Sequence, residues 1–433
     1  MRRASLAALT LAASAGIPAP AQELAEPEQA TLTSTISQSL VVDSNYGLDD
    51  PSPGTSTYGD TRLTLDFLRD TRSQTLGMGI DTGLRALAEA EEDFEFRLAT
   101  PSRAYLSYLQ EGPNTTFDSN FRVRSRQVDY SVFDDDLGAA PDDLTVLEGD
   151  TRETRADADI GLTFGVDAPS TTEFRLLATN FDYTNETETD NLVPRYSLEG
   201  QALWTLRLTP VFSAALFGSY YYYSADNDEE DEIRVAEGEA GLVYEPSERL
   251  RVRGGLGYAD RTREETIDGV RDETESDSGP VVRGDFRYIL PSMTLLGELR
   301  VTTAAPQTRV SGNLNAVYTL PRGRVNGRVF QRYGGSQSGS DSRITGAGLG
   351  FVRDLNTVSR LELDASYAIQ VDEDEPAEPD IERTDLTASY IYDMTDTVSA
   401  ELGYGYRHRI EDPDDADSHR VFMVIGKTFE TGL

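Results

Sequence analysis

Between Ser359 and Asp372 the chain reads SRLELDASYAIQVD, and its apolar residues keep to one parity. Leu361, Leu363, Ala365, Tyr367, Ile369 and Val371 alternate with Arg360, Glu362, Asp364, Ser366, Gln370 and Asp372. Successive side chains of a strand leave opposite faces, so this segment predicts a strand with one apolar and one charged face. The same alternation runs through Tyr196–Leu208, Leu250–Tyr258, Met293–Val301, Arg309–Leu320 and Val398–Tyr406. In Glu173–Tyr183 and Arg343–Arg353 neither parity is clean.

Connections between these segments alternate in length. The short ones carry turn chemistry: Arg69–Arg72, Glu111–Asn114, Asp167–Ser170, Thr209-Pro210, Pro246–Arg249, Pro291-Ser292, Pro321–Gly323, Leu355–Thr357 and Met394–Asp396. The others are longer and mostly acidic: Asp43–Gly59, Asp134–Thr154, Asp226–Glu232, Glu264–Gly279, Asp372–Glu382 and Glu411–Ser418. Short turns at one end and long loops at the other, joining one-sidedly apolar strands, are the pattern of a transmembrane antiparallel up-and-down β-barrel. Lipid offers no partner to an unpaired backbone group, so such strands must close into a ring. The count is about 20 strands, with about 18 as the alternative if the first strand or the pair around Ala304–Gln307 fails to form.

Leu208–Ala225 carries no charge, and its length is that of a spanning helix. Thr209-Pro210 near its start and the run Tyr220–Tyr223 near its end read instead as a turn followed by a strand. Tyr and Trp collect where hydrocarbon meets water, so Trp204 is expected at the periplasmic girdle and Tyr220–Tyr223 at the outer one. At the C-terminus Val421, Met423, Ile425 and Phe429 share a parity, as in the final strand of outer-membrane barrels. Lys427, the chain's one lysine, interrupts that face, and Glu430–Leu433 follow the aromatic. A lysine near a strand end can snorkel to the headgroups.

The N-terminus reads as an address. Arg2 and Arg3 precede the apolar Leu6–Ile17, and Ala19-Pro20-Ala21 fits cleavage before Gln22. The expected organisation is a signal peptide over 1–21, a short acidic segment over 22–30, a barrel over 31–430 and a tail over 431–433. No lipid anchor and no helical N-terminal plug are expected, which disfavours a TonB-dependent transporter.

Composition narrows the chemistry. Asp and Glu number 76 against 39 Lys and Arg, a net charge of −37, which argues against nucleic acid as a partner. The chain has no Cys and two His, His408 and His419, neither near a recognisable Ser motif. No catalytic residue, cofactor or resident metal is therefore expected. Gly255-Leu256-Gly257 and Gly346–Gly350 lack the following helix of a phosphate loop and read as small residues in a crowded wall.

Val42-Asp43-Ser44-Asn45 closes the first strand, and tandem hairpins with acidic outer loops continue to the last. In these features the chain resembles the β-barrel porins associated with exopolysaccharide systems of Gram-negative bacteria. The resemblance implies an outer-membrane location and export of a sugar polymer. It implies no catalytic residues.

The inward parity is charged with both signs. Arg122, Arg124 and Arg126 alternate with Phe121 and Val123, giving an arginine ladder on the water side. Arg251, Arg253, Arg283, Arg287, Arg324, Arg328, Arg407 and Arg409 are expected inward too. So are Asp157, Asp159, Glu199, Glu237, Glu239, Asp285, Glu298, Glu362 and Asp364. Two readings stand: an eyelet whose opposed charges orient solutes, and a salt-bridge network that stiffens the wall. The longest outer loop, Asp134–Thr154, has an apolar middle in Leu137, Leu144, Val146 and Leu147. It is expected to fold inward and bring Asp134, Asp135, Asp136, Asp142 and Asp143 towards the ladder, as the third loop of general porins constricts their channel. The expected function is a channel for small polar solutes or for a surface polysaccharide. The alternative is a closed-lumen structural or receptor protein of the cell surface. Expected partners are outer-membrane lipid and lipopolysaccharide, the barrel-assembly machinery and polysaccharide-export components, with divalent cations at acidic loops such as Asp226–Glu232 and Asp412–Asp417.

Overall fold

The computed structural model describes residues 29–88, 94–99, 101–127, 152–184, 193–225, 232–267, 270–305, 308–335, 341–372, 380–411 and 413–432. The expected leader at 1–21 lies outside them. Among the described residues all regular structure is strand. The first half contains β1 (Gln29–Asp43), β2 (Ser56–Asp70), β3 (Gln74–Ala88), β4 (Glu95–Leu98), β5 (Ser102–Glu111), β6 (Thr115–Gln127), β7 (Arg152–Phe164), β8 (Ser170–Thr184), β9 (Arg195–Arg207) and β10 (Phe212–Ala225). The second half contains β11 (Glu232–Ser247), β12 (Leu250–Ile267), β13 (Val270–Leu290), β14 (Met293–Thr302), β15 (Arg309–Leu320) and β16 (Gly323–Gly335). It ends with β17 (Asp341–Asp354), β18 (Ser359–Asp372), β19 (Ile381–Thr395), β20 (Val398–Glu411) and β21 (Asp414–Gly432).

Apart from β4 and β5, strands consecutive in the chain pair antiparallel, and β1 pairs with β21 from Thr31↔Gly432 to Asp43↔Arg420. The sheet therefore has no free edge. The short β4 and the longer β5 both pair with β3, one above the other, and share one place in the wall. Pro101 lies in the gap between them, and a residue without an N–H cannot continue the ladder. The ring is thus a closed barrel of 20 strands, and the count of about 18 is excluded.

The short turns fall where the sequence places them. Gly323, in the Pro321–Gly323 turn, has φ +136°, a conformation that favours glycine. Two expected long loops are instead hairpin. β12 and β13 stay paired out to Ile267↔Val270, where Glu264–Gly279 reads as a loop. In the sequence, Asp268-Gly269 between Ile267 and Val270 is a two-residue hairpin signal. β20 and β21 likewise stay paired out to Glu411↔Asp414. Leu208–Ala225 forms a turn and then β10, as expected.

Outward positions carry the exposed apolar belt, including Leu84, Leu216, Leu256, Leu349 and Leu402. Trp204 lies near the short-turn end and donates from Nε1 to Ser170 Oγ at 2.8 Å. The four tyrosines divide: Tyr220 is outward and 49% exposed, whereas Tyr223 is inward and 6% exposed. Strand alternation forbids all four from joining one girdle. Lys427 Nζ sits 4.9 Å from the Phe429 ring centre, on the outer surface near the end of β21.

Candidate functional site

The barrel interior is the candidate site. Its walls carry the inward parity, and Arg122, Arg124 and Arg126 lie on β6 opposite β7. Arg122 is opposite Asp157, Arg124 opposite Arg155, and Arg126 opposite Glu153. Arg126 Nε donates to Glu153 Oε1 at 2.9 Å, and Glu153 is 1% exposed. Arg155 Nε donates to Asp157 Oδ1 at 2.8 Å, and Thr179 Oγ1 donates to the same oxygen at 2.9 Å. One rung of the ladder, Arg126, is therefore bonded to a buried acid of the next strand. Asp134, Asp135, Asp136, Asp142 and Asp143, expected opposite it, lie outside the described residues.

A second network crosses β11, β13 and β14. Arg283 donates to Glu237 at 2.8 Å and to Glu239 at 2.9 Å, and its guanidinium stands 4.5 Å from the Phe217 ring centre. Arg300 also bonds Glu237. Charges of opposite sign bonded in this way can leave bulk water at tolerable cost. Arg300 was not singled out from the sequence, although its parity beside the outward Leu299 and Val301 gives it away.

The third network seals the seam. Arg407 Nη2 donates to Asp43 Oδ2 at 2.6 Å, and Ser418 Oγ donates to Asp43 Oδ1. Asn45 Nδ2 donates to the carbonyls of Asp49 at 2.9 Å and Asp417 at 3.1 Å. Ser44 Oγ accepts from the His419 N–H at 2.8 Å. The Asp43-Ser44-Asn45 element, on which the porin resemblance rests, therefore fastens the first strand to the last. Behind it Tyr46 and Leu48 are buried, and Tyr46 joins Val41, Tyr58 and Leu87 in a small apolar cluster.

Depth decides how open the lumen is. Near the short turns the inward side chains are wet: Arg287 is 45% exposed, Glu245 47% and Glu298 45%. Near the loop end they are dry, with Arg383 at 4% and Arg407 at 5%. At that level opposite walls meet. One cavity of about 180 Å³ is lined by Arg155, Phe181, Arg195, Tyr221 and Tyr223 of β7 to β10 together with Arg332 and Ile344 of β16 and β17. Phe181 lies between Arg155 and Arg195, whose guanidinium carbons are 5.1 and 4.2 Å from its ring centre. Arg195 and Arg332 were not predicted as site residues. Alternation assigns each to a face but says nothing of what stands across the lumen.

The two histidines lie on the outer surface. His408 Nε2 is 2.7 Å from Asp415 Oδ1, and His419 Nδ1 is 2.7 Å from the Tyr404 hydroxyl. Among the described residues no group of His, Cys, Asp and Glu is disposed to hold a metal.

No family model matches the chain, and no curated protein matches it. Solved structures do. The ferric-catecholate import receptor Fiu from E. coli K12, in its open form, superposes with a TM-score of 0.51 at 9% identity, covering 93% of this chain and 82% of that one. The unliganded ferric citrate transporter FecA superposes with a TM-score of 0.50 at 10% identity, covering 93% and 79%. The outer membrane channel DcaP of Acinetobacter baumannii gives a TM-score of 0.38 at 12% identity, covering 93% and 97%. At such identities the likeness speaks to the fold alone, and that fold is the closed antiparallel barrel of outer-membrane proteins.

Proposed function

We propose that the chain is a passive outer-membrane channel for small polar solutes. The observation that carries this reading is the gradient inside the barrel. Wet, charged walls fill the half near the short turns, and walls that approach each other pinch the half near the loops. A ring of this many strands is too wide for wall side chains to fill along its whole length, so a pinch at one level sets what passes. The expected leader, with cleavage after Ala21, delivers the chain to the envelope, and the apolar belt faces lipid.

A level where side chains of β7 to β10 and of β16 and β17 line one cavity of about 180 Å³ favours small solutes over a polymer. Sugar-polymer export, the narrower expectation, rests on the resemblance and on no geometry described here. Single-channel recording on the full chain in a planar bilayer is the test. Discrete conductance steps are expected. Silence at every applied voltage would replace this reading with that of a closed-lumen surface protein.

A further inference from the structure

We propose that an overhanging edge of β13, residues 270–279, pairs with an extended cationic segment of another protein and takes it up as a further strand. The proposal goes beyond the channel reading and holds whether or not the lumen conducts.

Closure removes the edges of the ring but not those of a strand that overshoots it. β13 has 21 residues and its neighbour β14 has 10. On one side β13 is paired with β12 out to Ile267↔Val270, and β11 accompanies β12 as far as Glu232↔Glu264. On the other side pairing with β14 stops at Val281↔Thr302. The Thr303 N–H then donates to the Pro280 carbonyl at 3.2 Å, and Ala304 packs with Ala259 and Val281 in a small buried cluster. The chain thus leaves β13 at the rim. Among the described residues no strand lies against residues 270–279 on that side. Ten residues of extended chain make an edge of roughly 30 Å.

A bare edge of this length is a template for other strands, and its sequence restricts which. Within residues 270–279, Asp272, Glu273, Glu275 and Asp277 stand against Arg271 alone. Arg263 pairs with Glu275 and Glu264 with Glu273, so Thr274 forms a bulge. Charge and bulge both discourage indiscriminate pairing. A second copy of the chain would set acid against acid, which destabilises cross-strand pairs. An extended segment carrying Lys or Arg meets the opposite condition. Backbone hydrogen bonds along the edge supply affinity, and charge supplies selectivity and a fast encounter. By loop length this end of the barrel faces the medium, so the partner is an extracellular one.

The test is fluorescence anisotropy on the full chain in detergent micelles, with three labelled peptides of about ten residues. One alternates Lys and Thr, one is the same peptide methylated at every backbone nitrogen, and one alternates Glu and Thr. The Lys peptide should bind, its methylated form at least about tenfold more weakly, and the Glu peptide not at all. Added salt should weaken the Lys peptide's binding. Replacing residues 264–274 with Asp-Gly keeps the Arg263↔Glu275 pair and closes the hairpin with a two-residue turn. This trimmed variant should lose the peptide. Glu273→Lys/Glu275→Lys/Asp277→Lys, at full length, should exchange the preference for the Glu peptide. If the trimmed variant does not reach the heat-modifiable folded form, the triple variant decides alone. No binding by the parent, equal binding of the methylated peptide, full binding by the trimmed variant or an unchanged preference in the triple variant overturns the proposal. A dimer of the parent in light scattering that trimming abolishes also overturns it, and gives the edge to a second copy.

Discussion

Arg85 and Asp60 face each other as register partners on β3 and β2, and the guanidinium grips both carboxylate oxygens, at 2.8 and 3.0 Å. Both residues are buried, Arg85 at 6% and Asp60 at 7% exposure. The remaining Arg85 amine donates to the Tyr46 hydroxyl at 2.8 Å, and Tyr58 offers its ring face at 4.2 Å. Removing one partner leaves the other charge buried and uncompensated. Asp60→Ala should destabilise the barrel by about 3 kcal/mol, read by urea unfolding in lipid vesicles. The paired replacement Asp60→Leu/Arg85→Met should recover most of that loss. A single variant within ~0.5 kcal/mol of the parent would show that this pair is wetter than it stands here.

Closure of the ring can be tested covalently, because the chain has no cysteine of its own. Val42 and Val421 are direct partners across the β1–β21 seam. Val42→Cys/Val421→Cys should oxidise to a disulfide, visible as a mobility change that reductant reverses. Val42→Cys/Ile425→Cys, offset along the seam, should not. Equal cross-linking of both pairs would mean a slipping or open seam.

The ladder divides into two kinds of arginine. Arg126 is bonded to a buried carboxylate, so Arg126→Ser should cost about 3 kcal/mol of stability by leaving Glu153 without its cation. Arg122 is exposed, and its loss should leave stability within ~0.5 kcal/mol. Its removal should still shift reversal potentials in a salt gradient towards cations. Equal destabilisation by Arg122→Ser and Arg126→Ser would erase the distinction.

Orientation follows from loop length. Epitope tags between Asp372 and Ile381 should be labelled on intact cells, and tags in the Pro321–Gly323 turn should be labelled only after the envelope is opened. Labelling of the short turn on intact cells would invert the barrel.

The lipid face should punish charge. Leu256, 70% exposed on the outer wall, is a site where arginine should cost about 2 kcal/mol or more. Glu298→Gln, on the wet inner wall, should cost much less. Comparable losses would mean that the two faces are misassigned.

Alternation made the face of nearly every strand residue legible, because period 2 is a property of the chain alone. It assigns Arg283, Glu237 and Glu239 to the same surface. Depth and reach were not legible. Whether an inward arginine is wet like Arg287 or dry like Arg383 depends on how far the opposite wall stands, which no local pattern encodes. Arg155 and Arg332 share a cavity only because ring closure brings their strands face to face. Asp268-Gly269 is a turn signal set among acids that read as a solvated loop, whereas the backbones of β12 and β13 stay paired through that stretch.

The seam has a bearing on how such a chain is made. Asp43 belongs to the first strand to be synthesised, and Arg407 and Ser418 to the last two. Until the final hairpin arrives, Asp43 has neither partner and β1 has an unpaired side. A chain halted before β20 would carry two raw edges, the kind of surface that recruits other strands indiscriminately. Fastening the ring where β1 ends and β21 begins leaves it open until β20 and β21 are in place. A ribosome that stops short yields a strip for the proteases rather than a leaky pore.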